Sequence, residues 1–453
     1  MKLWKRLLGL FFLLLVFDGA LRKWVLPSQE TALLLLKDVV LWGAFFLYAQ
    51  RYSALAFPRP LRSTWVPVLL GAYIFVVVLQ AFNLRQPNLA VGAIGIKAHL
   101  SYLPLAVMLP TVLVQASRQQ IVRFLWGYVL LVHIPLMALS LYQFSQPPTA
   151  WVNQYVREMM TVATLGEGRP RITGTFSYIG SYTPFLEAVA FGGLGVLLAG
   201  LRWRDHNLSL LGGTLLGSTA MVLPMTGSRG PVLVVVVGAV ALLVIMRDDI
   251  GRKIQLLLAC VAIGLATFVI FDATDTLEGW EALADRVERT QDEEDRIRDA
   301  LVAPVTGLGV GGLLGYGVGT NHQAAPRFVA SSQRNWQGWL GVDNGVLRVT
   351  VELGLLGMLG LLALKLALVH LSVQVVRDSA TSIEFLIGAT VFCILLRNVL
   401  FPVVFNPVVG ITYWSCAGLA IGMWSLQKAK EGYVQAHYKS MRSIRLRKNL
   451  IRD

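Results

Sequence analysis

Residues 226–231 read Thr-Gly-Ser-Arg-Gly-Pro, a tight turn between two apolar runs. Arg229 lies there between Gly227 and Gly230, which let the backbone come close to a ligand, with Ser228 beside it. A guanidinium offers two parallel donors and keeps its charge, so this turn suits an anion such as a diphosphate. An arginine at such a boundary also suits the plainer task of reaching out to lipid headgroups.

More candidates lie in residues 271–357, the long polar interruption of the chain. Segment 280–301 reads as an amphipathic helix with Arg289 and Arg296 on one face. Asp285 with Arg289, Asp292 with Arg296 and Glu294 with Arg298 stand at i,i+4 there. On its own that pattern describes a solvated helix laced with ion pairs, in which one or two arginines at most have a further task.

A glycine run from Gly307 to Gly319 follows, then Asn321, His322 and Gln323. Gly307-x-Gly309-x-x-Gly312 matches a dinucleotide fingerprint in form, but no βαβ unit surrounds it. A mobile or closely packed loop over a lipid-linked substrate is more economical, and a lone His such as His322 is more often structural than catalytic. Asp343 and Glu352 sit where the next apolar run begins, and an acid at that boundary is costly without a partner or a task. Each would cap or pair a helix end, and Asp343 could equally act as a general base.

The elements that must position these residues are set by composition. Of 453 residues, 55% are hydrophobic and 15% charged, and mean hydropathy is +0.61. Repeated apolar runs of about 20 residues then predict an all-α polytopic membrane protein. The formal charge of +14 is concentrated in short loops of one side and in residues 427–453, where eight basic residues meet two acids. That asymmetry orients a membrane protein and attracts anionic lipid, and it argues against nucleic acid as a partner. Cys260, Cys393 and Cys416 lie in apolar segments without CxxC spacing and read as small buried hydrophobes.

Residues 1–17 start basic and run apolar without a cleavage site, which predicts an uncleaved first span with a cytoplasmic N-terminus. Further spans are expected near 31–50, 65–82, 89–116, 121–144, 177–200, 207–225, 230–246, 254–271, 345–374, 383–404 and 408–426, about twelve in all. With both termini inside, arginine-rich connections such as 247–253 face the cytoplasm, although Arg22 and Lys23 run against the trend. The division expected is 1–271 with an outer loop at 145–174, a large periplasmic loop at 272–344, spans over 345–426, and a basic cytoplasmic tail at 427–453.

Three groups of residues together resemble the O-antigen ligase and polymerase superfamily of bacterial envelope proteins. They are Thr226-Gly227-Ser228-Arg229-Gly230, Arg296 ahead of Gly315-Tyr316-Gly317, and Asp343-Asn344 running into Glu352-Leu353-Gly354-Leu355-Leu356-Gly357. Leu21-Arg22-Lys23-Trp24-Val25-Leu26-Pro27 is similar to a subset of these proteins. The resemblance implies a membrane glycosyltransferase (GT-C-like) fold in the bacterial inner membrane. It implies transfer of a glycan from an undecaprenyl-diphosphate donor to the lipid A core or to a lipid-linked repeat unit, in O-antigen or exopolysaccharide synthesis. No nucleotide sugar, cofactor or obligatory metal is implied.

On that reading Arg229 and Arg296 hold the diphosphate, with Arg289 a weaker candidate. Ligases of the family place a His where this chain has Asp343. Either Asp343 is the base, or His322 serves from the nearby loop, or the base lies elsewhere as in a polymerase-like relative; Asp343 ranks first because its motif position matches. Glu187, following Arg169 and Arg171, would pair with an arginine of the site or line a glycan groove, and Lys37-Asp38 reads as a helix-packing pair. The alternative function is a secondary transporter or flippase of lipid-linked glycans, which should instead gather its ionisable groups at mid-membrane on broken helices.

Overall fold

A computed structural model of the chain describes residues 2–52, 59–156, 161–165, 168–273, 302–329 and 344–450. Their regular structure is helical, with an isolated bridge between Thr164 and Pro170. In chain order the helices are α1 (Leu3–Ala20), α2 (Glu30–Ala49), α3 (Val66–Gln80), α4 (Leu89–Leu100), α5 (Pro104–Val114), α6 (Arg118–Tyr128), α7 (Ile134–Ser145) and α8 (Ile179–Trp203). They continue as α9 (His206–Val222), α10 (Gly230–Ile245), α11 (Ile250–Ala273), α12 (Val302–Gly311), α13 (Gly345–Arg377), α14 (Ser382–Leu400) and α15 (Pro407–Leu450).

Helices overlie each segment expected to span. Eight stretches among the described residues are long and apolar enough to cross a membrane, while Val66–Gln80 and Gly230–Ile245 are apolar but shorter. The stretch Leu89–Val114 joins α4 to α5, and Arg118–Ser145 joins α6 to α7. Among the described residues, seven helices begin at side chains that accept from first-turn amides, namely Asn88, Ser117, Asp205, Asp249, Asn344, Thr381 and Asn406. Packing centres on α8, which lies against α9, α10 and α14; α13 packs on α3 and α14, and α15 on α5.

Ionisable groups inside the apolar bundle are matched across helices, as their cost in a low-dielectric interior requires. Lys37 does not pair with its neighbour Asp38: Lys37 Nζ meets Asp18 Oδ2 at 2.8 Å, and Asp38 Oδ2 meets Lys97 Nζ at 2.9 Å. The two residues tie α2 to α1 and to α4, in different directions because adjacent helical residues point about 100° apart. Lys365 Nζ donates to Phe401 O at 3.1 Å, and Glu187 Oε2 meets Arg397 Nε at 2.9 Å. Removing one partner of the Glu187 pair leaves a buried charge, so Arg397→Met should cost about 3 to 5 kcal/mol. The check is thermal unfolding in detergent, where Glu187→Leu combined with Arg397→Met should recover most of the loss.

α13 is interrupted. Gly354 has φ 68° and ψ −174°, a conformation open to glycine, and the break frees backbone groups on both sides. The glycine run fills the gap: Tyr316 N donates to Val351 O (2.9 Å) and Gly317 N to Glu352 O (3.1 Å). In return Leu355 N donates to Gly312 O at 3.1 Å, and Gln80 Nε2 donates to Leu314 O. A Cβ on Gly354 would stand 2.5 Å from Gly315 N and 2.5 Å from Leu313 O. Of the two readings of the glycine run, the closely packed one is observed.

α12 lies inside the stretch expected to be polar loop. Its Gly307 and Gly311 face Thr350 and Val351, where a Cβ would come within 2.8 Å and 3.0 Å of its neighbours. Small residues four apart let the two helices touch at backbone distance.

Candidate functional site

The turn at 226–229 is built from both sides. Gly227 takes φ 65° and closes a short helical turn from Pro224, so the chain reverses before α10 begins. Residues 168–177 lie across it: Ile172 N donates to Met225 O at 3.3 Å, Arg171 Nε to Thr226 O at 2.6 Å, and Arg171 Nη2 to Ser228 Oγ at 3.0 Å. A second guanidinium is therefore held one residue from Arg229. Ser228 accepts from Arg171, which leaves its hydroxyl proton to donate elsewhere. The sequence puts Arg171 in an arginine-bearing segment on the same outer face as this turn, but nothing local shows its bond to the Thr226 carbonyl, 55 residues away.

The same segment is anchored at its other end by the turn at 21–25. Arg22 donates to Ser177 Oγ, and Lys23 Nζ to Thr173 Oγ1 (3.0 Å) and Gly174 O (2.8 Å). Both cations are buried, and burial pushes the Lys23 ammonium down to about 7. Their departure from the charge bias of the loops has this cause: they are internal ties of the Leu21–Pro27 motif.

A second polar centre forms at the break in α13. Glu352 is wholly buried; its Oε2 meets His99 Nε2 at 3.1 Å, and its Oε1 accepts from Asn321 N at 2.9 Å. Behind it the Tyr73 hydroxyl lies 2.9 Å from His99 Nδ1. The sequence marked Glu352 as an acid in need of a partner, but gave no sign that His99 supplies it. His322 follows Asn321, half-buried, with Ala324 N donating to its Nδ1 at 3.1 Å. Burial lowers its pKa, as do Lys97, His99 and Arg348 nearby, while Glu352 opposes them.

Asn344 caps α13, with Oδ1 accepting from Val346 N and Leu347 N at 3.1 Å each. Asp343, Arg289 and Arg296 lie outside the described residues, as does the amphipathic segment 280–301. Glu187 Oε2 accepts from Arg397 Nε on α14 at 2.9 Å. Together with Arg397 and Asn398 it lines a small cavity of about 20 Å³ between α8, α14 and α15.

Residues 212–362 match the O-antigen ligase family, a stretch that takes in the 226–230 turn, the glycine run and the break at Gly354. No match to a curated protein was found. Residues 212–362 thus carry an O-antigen ligase domain, which supports membership of the chain in the O-antigen ligase and polymerase family.

Proposed function

We propose that the chain is a membrane glycosyltransferase that moves a glycan from an undecaprenyl-diphosphate carrier to an acceptor sugar, either the lipid A core or a lipid-linked repeat unit. The product is bacterial surface polysaccharide, O-antigen or exopolysaccharide. The O-antigen ligase domain supports a glycosyltransferase-like role in polysaccharide biosynthesis. The observation that carries the finer reading is the hold of Arg171 on Thr226 and Ser228, which sets its guanidinium on the turn that carries Arg229.

In the reaction the acceptor hydroxyl oxygen bonds to the anomeric carbon while the bond from that carbon to the diphosphate oxygen breaks. The electron pair leaves with the lipid diphosphate, where fixed guanidinium groups stabilise the added charge. Arg229 takes this role with Arg171, joined by Arg296 and, more weakly, Arg289 from the 272–344 loop. Asp343 accepts the hydroxyl proton, as a carboxylate at the motif position where ligases of the family place a His. In this reading loops 145–174 and 272–344 are periplasmic, and both termini lie in the cytoplasm of a bacterium, with the basic tail against anionic lipid of the inner membrane.

The break in α13 favours keeping one rival, a carrier of lipid-linked glycans, because interrupted helices recur in transporters. Purified protein in liposomes with lipid-linked donor and acceptor separates the two. Joined product on a gel supports transfer; movement of donor across the bilayer without joined product supports transport and refutes the proposal.

A further inference from the structure

Glu352 takes no part in the chemistry just described, yet both of its oxygens are engaged in the interior. Resting on the transferase reading, we infer that Glu352, backed by His99, is a positioning residue for His322, and that His322 presents its Nε2–H as a hydrogen-bond donor to glycan or diphosphate oxygens instead of acting as the base.

The geometry has two parts. The first fixes the turn: Glu352 Oε1 accepts from Asn321 N (2.9 Å), Thr320 Oγ1 donates to Gly317 O (2.9 Å), and His322 N donates to Gly319 O (3.1 Å). Gly317 N in turn donates to Glu352 O at 3.1 Å, so side chain and backbone of one residue hold both ends of the 317–321 loop. His99 Nε2 holds the other carboxylate oxygen at 3.1 Å, with the Tyr73 hydroxyl 2.9 Å from its second nitrogen. An ionisable side chain that is wholly buried and satisfied in this way has its orientation fixed.

The second part fixes the ring. Ala324 N donates to His322 Nδ1 at 3.1 Å, so that nitrogen is an acceptor and the neutral imidazole carries its proton on Nε2. The groups facing the ring are Glu352 and Arg348 from α13 and Lys97 and His99 from α4, and burial with the three basic neighbours keeps it neutral at pH 7. A ring in this state has no free lone pair to take a proton from the acceptor. It has an N–H to give, which is the kind of fixed donor that stabilises charge developing on oxygen.

The test combines hydrogen exchange with transfer assays in liposomes. Glu352→Ala should speed amide exchange in the peptide spanning 317–324, and should lower kcat about 30-fold with donor KM little changed. Glu352→Gln keeps an acceptor for Asn321 N–H and should return both readouts to within about fivefold of the parent protein. His322→Ala should lose about 100-fold, while His322→Gln, which can donate but not serve as base, should stay within about tenfold of the parent. Transfer by the parent protein should hold level as pH falls from about 8 through 6.5, the ordinary value of the ring.

Unchanged exchange at 317–324 in Glu352→Ala overturns the positioning role. His322→Gln as inactive as His322→Ala overturns the donor role and returns His322 to the base. If the parent protein joins no glycan at all, the transferase reading fails, and the exchange arm still decides whether Glu352 holds the turn.

Discussion

Arg229→Lys is expected to lower glycan transfer about 100-fold while the protein inserts at parental levels. The turn at 226–229 is closed by Gly227 and braced by Arg171 through Thr226 O and Ser228 Oγ, none of which involves the Arg229 side chain. Lysine therefore leaves the turn standing and keeps the positive charge. What it loses is the planar fork that meets two phosphate oxygens at once, and losing one fixed donor to a developing oxyanion costs about 10²- to 10³-fold. Polymer length in cells and initial rate in liposomes read the effect. Parental transfer by the lysine variant would reduce Arg229 to an anchor among headgroups.

Asp343→Asn carries the largest expected effect, a loss of about 10³-fold in kcat with the protein still folded. A positioned general base contributes about 10²- to 10⁴-fold, and asparagine keeps the size of the side chain but cannot take a proton. Folding should survive, because Asn344 forms the α13 cap. The pH profile identifies the base: with a carboxylate in that role, the rate rises as pH climbs through the acidic range, and the rise disappears in the asparagine variant. Retained activity would move the base outside Asp343 and His322 both, if the ring at 322 is a donor.

Much of the bundle was legible because a span must be apolar along its whole length, a signal spread over some twenty residues. α12 was hidden for the converse reason: its ten residues are too few to span, so they merged with the polar loop around them. The break at Gly354 left no mark either, since a glycine in an apolar run looks the same whether it packs a straight helix or takes φ 68°.

For the site, the turn at Gly227-Ser228-Arg229-Gly230 could be found because its meaning is local. For Arg171 the sequence brought its segment to the face of the turn, but not its bonds, since its partners Thr226 and Ser228 come from a distant segment. The pairing of Lys37 with Asp18 and of Asp38 with Lys97 shows the same limit, as charges adjacent in sequence served different helices. Glu352 was visible as an acid in need of a partner, but nothing local named His99 on α4 as that partner.

The central claim is that guanidinium groups at the 226–229 turn grip a lipid diphosphate. A cryo-electron microscopy map of the protein in nanodiscs with a polyprenyl-diphosphate glycan tests it most directly. The expected result is diphosphate density within hydrogen-bond reach of Arg229 and Arg171, with Arg296 brought to the same density. Diphosphate bound elsewhere, with Arg229 turned toward lipid headgroups, would contradict it.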